Sequence, residues 1–260
     1  MKYIVLFFDD GYLDFEINAL PVLDKYSFKS SIAVVSGFLD NSIKAPFSTM
    51  SKDSIQFLNK NGHEIAIHSD SHRLHIDLAD FSICHNKFKQ WFRDKQYGVI
   101  IPYSQNLGGK YEEYFKKEKA LYIADSKSHV TKWSIRSFLL RIFNHLFKSD
   151  INNFIVSNHY YFYTLQNMNT ELPLFKRLPI HRNIPISWYK RLIKTMKNNT
   201  CLTFAFHSVI DDKTQCDWPE GSISTEDFKE LMFFLYKYKK CKIITQKDLI
   251  EYAKSKKNIR

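Results

Sequence analysis

Two acids stand side by side at the end of an apolar run, Val5-Leu6-Phe7-Phe8-Asp9-Asp10-Gly11. Neighbouring carboxylates in an apolar setting cannot both ionise cheaply, so each needs a compensating group, and a metal ion is the obvious one. A second cluster follows at His68-Ser69-Asp70-Ser71-His72. Histidines at i and i+4 share one side of a helical turn and can reach one ion. Two histidines and a carboxylate make a facial set that leaves positions open for water and substrate. A divalent ion held there lowers the pKa of its water to roughly 7 and polarises a carbonyl. One acid of the pair then serves as ligand while its neighbour takes a proton. An isolated H-x-x-x-H is more often a surface feature; joined to a strand-end Asp-Asp-Gly it points to metal chemistry.

These residues need elements that bring them to one place. Apolar runs predict buried strands at Val5–Phe8, Ser31–Val35, Glu64–Ile67, Val99–Pro102, Tyr122–Asp125, Cys201–Phe206 and Cys241–Thr245. Between them, helical periodicity predicts helices over 12–26, after Ser51, over 132–148, over 187–196, after Ser224 and over 246–254. Residues 151–182, rich in aromatics and prolines, read as loops with one or two strands. Strands alternating with helices indicate a parallel α/β sheet or barrel, whose chemistry gathers at the carboxyl ends of the strands. Asp9, Asp10, His68 and His207 all stand at such ends. With no repeat, low-complexity tract or linker, residues 1–260 read as a single catalytic domain.

Composition narrows the class. The chain is 260 residues long, 44% hydrophobic and 25% charged, as expected of a globular protein with a sizeable core. Lys and Arg exceed Asp and Glu by 38 to 27, a net charge of +11. That balance favours acidic partners, but the positive charge is scattered and no zinc-finger, RNP or basic-zipper pattern occurs, so no nucleic-acid partner is expected. Four cysteines without C-x-x-C spacing read as reduced thiols. Met1-Lys2 runs straight into a strand without a signal-type apolar region, and no apolar run reaches membrane-spanning length. A cytoplasmic location is therefore expected. The 132–148 helix, an apolar stripe flanked by Lys132, Arg136, Arg141, His145 and Lys148, suits a core-facing helix first and peripheral contact with an anionic inner-membrane surface second.

Phe8-Asp9-Asp10-Gly11 resembles the first motif (T/S-F-D-D-G) of the polysaccharide deacetylases, the NodB-homology family or carbohydrate esterase family 4. Gly62-His63-Glu64-Ile65-Ala66-Ile67-His68-Ser69-Asp70-Ser71-His72 is similar to the second, and Leu202-Thr203-Phe204-Ala205-Phe206-His207-Ser208 to the last. The resemblance implies a distorted (β/α) barrel of about seven parallel strands with outer helices. It also implies a metal-dependent hydrolase that removes an N-acetyl group from an acetamido sugar of a cell-surface polysaccharide or its lipid- or nucleotide-linked precursor.

Carried over by position, Asp10, His68 and His72 bind the ion, usually Zn2+. Asp9 is the base for the attacking metal-bound water, the Tyr103 backbone N–H steadies the oxyanion, and His207 is the acid. Three departures stand out. Ile100 occupies the place of the third-motif arginine that orients the base, and Arg182 is the expected substitute. Ala205 stands where the last motif carries a leucine against the acyl methyl. The fourth motif, an Asp and a Trp that orient the acid histidine, is suggested only by Asp125 and Trp133. Two rivals remain: hydrolysis of another amide, such as a formamide or a non-sugar C–N bond, and a non-catalytic carbohydrate-binding protein.

Overall fold

The structure, a computed structural model, describes residues 1–92, 96–105, 109–125, 163–165, 168 and 170–256. Its strands are β1 (Lys2–Phe8), β2 (Ser31–Val34), β3 (Glu64–Ile67), β4 (Gly98–Ile100), β5 (Tyr122–Asp125), β6 (Tyr163–Thr164), β7 (Leu174–Lys176), β8 (Leu178–Pro179), β9 (Thr200–Phe206), β10 (Ser208–Val209), β11 (Ser222–Ile223) and β12 (Cys241–Ile243). Ten of them form one sheet along the path β6-β9-β1-β2-β3-β4-β5-β7, with β12 added to β1 and β8 to β9. All pairings in it are parallel except β6 with β9.

Residues 174–179 close this sheet. Their first half runs along β5, with Ile123 opposite Leu174 and Asp125 opposite Lys176. Their second half runs along β9, with Leu178 opposite Phe204 and Pro179 opposite Ala205. The segment thus bridges β5 and β9, and the sheet is a nearly closed barrel with helices outside. The Pro at 179 fits, since a short closing strand has little ladder to lose.

Alternation along the strands sorts the residues between two cores. On β1, Ile4, Leu6 and Phe8 join the outer core under the helices, while Tyr3, Val5 and Phe7 join the lumen. Ala66, Ile100, Tyr122, Ala124, Phe175 and Cys201 fill the lumen from neighbouring strands. Continuing the period of two past each strand end aims Asp9, His68, Arg177, His181 and His207 at the top of the lumen. One pattern therefore places five polar side chains at one spot.

The predicted helix over 12–26 is a π-helical turn, Phe15–Ala19, continuing into an α-helix, Leu20–Lys25. Pro21 sits in the first turn of that helix, where its missing N–H is no loss. Gly37 lies within a short helix, Ser36–Leu39, that follows β2. A Cβ there would sit 2.5 Å from the Asp70 carbonyl oxygen, so glycine lets the histidine loop pack against it. The helix Leu78–Trp91, capped by Asp77, was not among the predicted elements. Ser51, Ser224 and Thr245 cap their helices by accepting from the third following N–H. The predicted 132–148 helix and Trp133 lie outside the described residues. Among the described residues, no helix is long and apolar enough to cross a membrane.

Candidate active site

Asp10 lies at the mouth of the barrel, 1% exposed, with Oδ1 3.3 Å from His68 Nε2 and 3.1 Å from His72 Nε2. His68 Nδ1 is 3.0 Å from the Ile100 carbonyl oxygen. A carbonyl only accepts, so Nδ1 carries a proton and Nε2 is the nitrogen directed at the carboxylate. Neither Asp10 oxygen has a hydrogen-bond partner among the described residues. In the absence of a cation, protons on the imidazoles favour the Asp10 carboxylate; with both Nε2 atoms bare, the three atoms converge as ligands on one point. Two ligands about 2.1 Å from a common ion, at about 100°, stand about 3.2 Å apart, matching these separations. Asp10, His68 and His72 therefore fit a divalent ion, and they form a cluster with that property among the described residues.

The backbone around this trio is held in an uncommon conformation. Asp10, Ser69, His72 and Tyr103 have φ of 70°, 68°, 50° and 53°, a left-handed region that non-glycine residues enter rarely. Several contacts hold them there. Ser69 Oγ accepts from the His72 N–H at 3.0 Å. Asp80 accepts from the N–H groups of Asp70 and Ser71 at 2.9 and 3.0 Å. Asp70 in turn accepts from Ser36 Oγ and, at 2.8 Å, from Lys87. Strain of this kind gathers where function fixes geometry.

Asp9 points into the lumen and is gripped by a guanidinium. Arg177 Nη1 and Nη2 donate to Asp9 Oδ1 and Oδ2 at 2.6 and 2.9 Å, and both side chains are nearly inaccessible. The Arg177 guanidinium also lies over the Phe7 ring, 4.9 Å from its centroid. Burial pushes the Asp9 carboxyl up, but Arg177 and the imidazoles of His68 and His207 outweigh it and hold it below its ordinary value. For Asp10, burial is outweighed by His72 and His68, and the carboxyl is held well below the usual range. His207 Nε2 stands 3.7 Å from Asp9 Oδ2, and its ring meets Trp218 edge-on at 4.6 Å.

The arginine on Asp9 is Arg177, whereas the sequence pointed to Arg182. Alternation supplies the reason: position 182 is out of phase with the lumen. Its guanidinium leaves the barrel and donates to Ser222 Oγ at 2.8 Å and to the Ile210 carbonyl. Asp125 ends β5, where its carbonyl accepts from the Arg177 N–H at 2.8 Å. His207 Nδ1 is buried without a hydrogen-bond partner among the described residues, so Asp125 does not orient it through that nitrogen. Tyr103 lies beside the trio, its ring 4.8 Å from that of His72 and its hydroxyl 3.3 Å from His72 Nδ1. Ala205 lies in the β9 row that faces the lumen and is fully buried. Trp218 and Asp217 are site residues that the motifs do not announce. Asp217 accepts from the Tyr12 hydroxyl at 2.9 Å, and burial together with Asp10 pushes its carboxyl up.

Residues 1–105 match the family model described as polysaccharide deacetylase. No curated protein matches the sequence. Among solved structures, a candidate polysaccharide deacetylase of Mycobacterium smegmatis superposes with a TM-score of 0.62 at 10% identity, covering 98% of this chain and 91% of that one. A family 4 acetyl xylan esterase of Clostridium thermocellum, in complex with cobalt, gives 0.52 at 12% identity, covering 96% and 91%. The peptidoglycan deacetylase PdaC of Bacillus subtilis gives 0.51 at 14% identity, covering 99% and 93%. Over residues 1–105 the chain carries the sequence pattern of the polysaccharide deacetylases, and its fold is that of the carbohydrate esterase family 4 enzymes.

Proposed function

We propose that this protein is a divalent-metal-dependent N-deacetylase acting on an acetamido sugar of a glycan or glycan precursor, with residues 1–260 as one catalytic domain. The observation that carries the reading is the position of Asp9, gripped by Arg177 on one side, 3.7 Å from His207 on another, and next in sequence to the Asp10 of the Asp10–His68–His72 trio. A bound ion supplies Lewis-acid polarisation of the amide carbonyl and a water acidified to about pKa 7. Imidazole and carboxylate donors suit Zn2+, and the neighbouring esterase's cobalt complex supports a divalent ion in this fold.

The remaining chemistry belongs to the chain. Asp9, kept ionised by Arg177, takes the proton of the attacking water. The Tyr103 backbone N–H donates to the developing oxyanion. His207 Nε2 hands a proton to the amine nitrogen as the C–N bond breaks, because an amide anion is too poor a leaving group. The products are acetate and a free amino sugar. The names of the neighbours, a peptidoglycan deacetylase and an acetyl xylan esterase, support a glycan as the substrate class.

Purified protein is expected to bind about one Zn2+ per chain by calorimetry and to release acetate from N-acetylated sugars, with chelation stopping the release. Asp9→Asn should retain the metal and lose turnover, whereas His72→Ala should lose the metal. Acetate and formate are read separately, since the small side chain at Ala205 leaves the acyl group open. Metal-loaded protein inert on every acetamido and formamido sugar tested would overturn the proposal.

A further inference from the structure

His181, unused in the mechanism above, lies beside the acid. β8 pairs in parallel with β9, Leu178 opposite Phe204 and Pro179 opposite Ala205, and the Ile180 N–H donates to the Ala205 carbonyl at 2.8 Å. Two more residues of that register bring His181 alongside His207, both on the lumen phase. Both rings meet the indole of Trp218 edge-on, His181 at 5.1 Å and 90°, His207 at 4.6 Å and 85°. Two buried ring nitrogens in this corner lack partners among the described residues, His207 Nδ1 and His181 Nε2. Buried polar atoms are rarely left so, and these two belong to rings that lie against the same indole.

Protonation states follow from the neighbours. Burial, then the proximity of His207, pushes the His181 imidazole down, so it is neutral. The nearby Glu220 side chain and backbone oppose that shift without outweighing it. A neutral imidazole keeps a lone pair on one nitrogen, and the unpartnered Nε2 is the one free to present it. An acid histidine must carry protons on both nitrogens, and the remote N–H then needs an acceptor. The other charged groups near His207 are Asp9, on its Nε2 side, and Asp217. Neither hydrogen-bonds Nδ1.

We infer that His181 is the positioning residue of the acid: one water in the corner walled by Trp218 accepts from His207 Nδ1–H and donates to the His181 Nε2 lone pair. A neutral imidazole there does what a carboxylate would otherwise do. It steadies the doubly protonated ring and fixes its rotation, so that Nε2–H faces Asp9 and the scissile nitrogen. No proton passes to His181. The inference takes the job of His207 from the deacetylase reading, but its geometry stands without it.

His181→Phe keeps a ring against Trp218 and removes the lone pair; His181→Gln returns an acceptor oxygen. In the Zn2+-loaded enzyme, His181→Phe should lower kcat about tenfold with KM little changed, and move the alkaline limb of the kcat profile about one unit to lower pH, as loss of one charge-assisted hydrogen bond predicts. His181→Gln should recover most of both. Nitrogen-15 spectra of histidine-labelled protein should show His181 protonated at Nδ1 and bare at Nε2. They should also show a slowly exchanging Nδ1 proton on His207 that vanishes in His181→Phe. Equal losses in both variants with an unmoved limb, or a His207 Nδ1 proton indifferent to His181→Phe, would overturn the inference. If the parent protein turns over no acylated sugar, the deacetylase reading falls, and the spectra alone decide the histidine pair.

Discussion

Replacing Arg177 by methionine removes a fork from a carboxylate that has nowhere to go. Asp9 is 3% exposed and Arg177 1%, and the two bonds between them are 2.6 and 2.9 Å long. Opposite charges about 4 Å apart at an effective dielectric of 20 attract by about 4 kcal/mol. Breaking a buried pair from one side typically costs about 3–5 kcal/mol, because the survivor stays desolvated. Arg177→Met is therefore expected to destabilise the metal-free protein by about 4 kcal/mol in urea unfolding at pH 8.

The pH dependence gives the test its direction. In the parent protein the folded state holds Asp9 below its unfolded value, so its contribution is present above about pH 4 and is lost as pH falls through the folded value. In Arg177→Met, burial is opposed only by the imidazoles and the carboxyl shifts upward. The deficit should then shrink as pH falls from 8 to 5, where Asp9 is able to protonate. Asp9→Asn in the same chain should recover more than half of it, since no charge is left stranded. Activity should drop by about a hundredfold or more, through a misaligned and partly protonated base. A deficit independent of pH, and additive with Asp9→Asn, would refute the pairing as the source of the effect.

Two further predictions concern parts away from the mouth. Gly98→Ala would place a Cβ 1.9 Å from Tyr122 Cζ, displacing the phenol that donates to buried Glu64 at 2.5 Å; a loss of about 3 kcal/mol in unfolding free energy is expected, and one below about 1 would show the lumen is looser than described. His63 is pushed down to about 4 by burial and then by Lys29, with Ser30 Oγ 2.9 Å from its Nδ1. The unfolded chain protonates it near 6.5, so stability falls as pH drops from about 6.5 to 4, by up to about 3 kcal/mol; His63→Asn should flatten that slope, and an unchanged slope would assign it elsewhere.

The parts of the site that a reader of the sequence finds are those written contiguously. Asp9-Asp10-Gly11 and His68 to His72 each lie within one strand end and its turn, so type and spacing expose them. His207 emerges because an apolar strand stops at it. Arg177 does not, because its partner lies 168 residues away and only closure of the barrel brings them together. The phase of Phe175, Arg177 and Pro179 carries the information, but β7 and β8 are three and two residues long, too short for periodicity to stand out. Trp218 and Asp217 come from a loop after β9, where local pattern says nothing about which wall the chain will meet. The helix Leu78–Trp91 is missed for a related reason: buried His85 and Cys84 sit among its inward residues, so its apolar stripe is blurred.

The seam at residues 174–179 also sets an order of events during synthesis. Strands β1 to β5 form a parallel array from the first half of the chain, yet Asp9 has no counter-ion until Arg177 arrives. Contacts of such sequence separation carry a large loop-closure entropy and form late. β9, which flanks β1 and carries the chain to His207, arrives later still. A ribosome-bound fragment holding the complete Asp10–His68–His72 trio therefore has two open sheet edges and an Asp9 without its guanidinium. Unpaired edges of that kind are prone to misassociate until the later strands arrive. Competence for hydrolysis and closure of the barrel come together, so a partly folded chain holds the metal ligands without a working base.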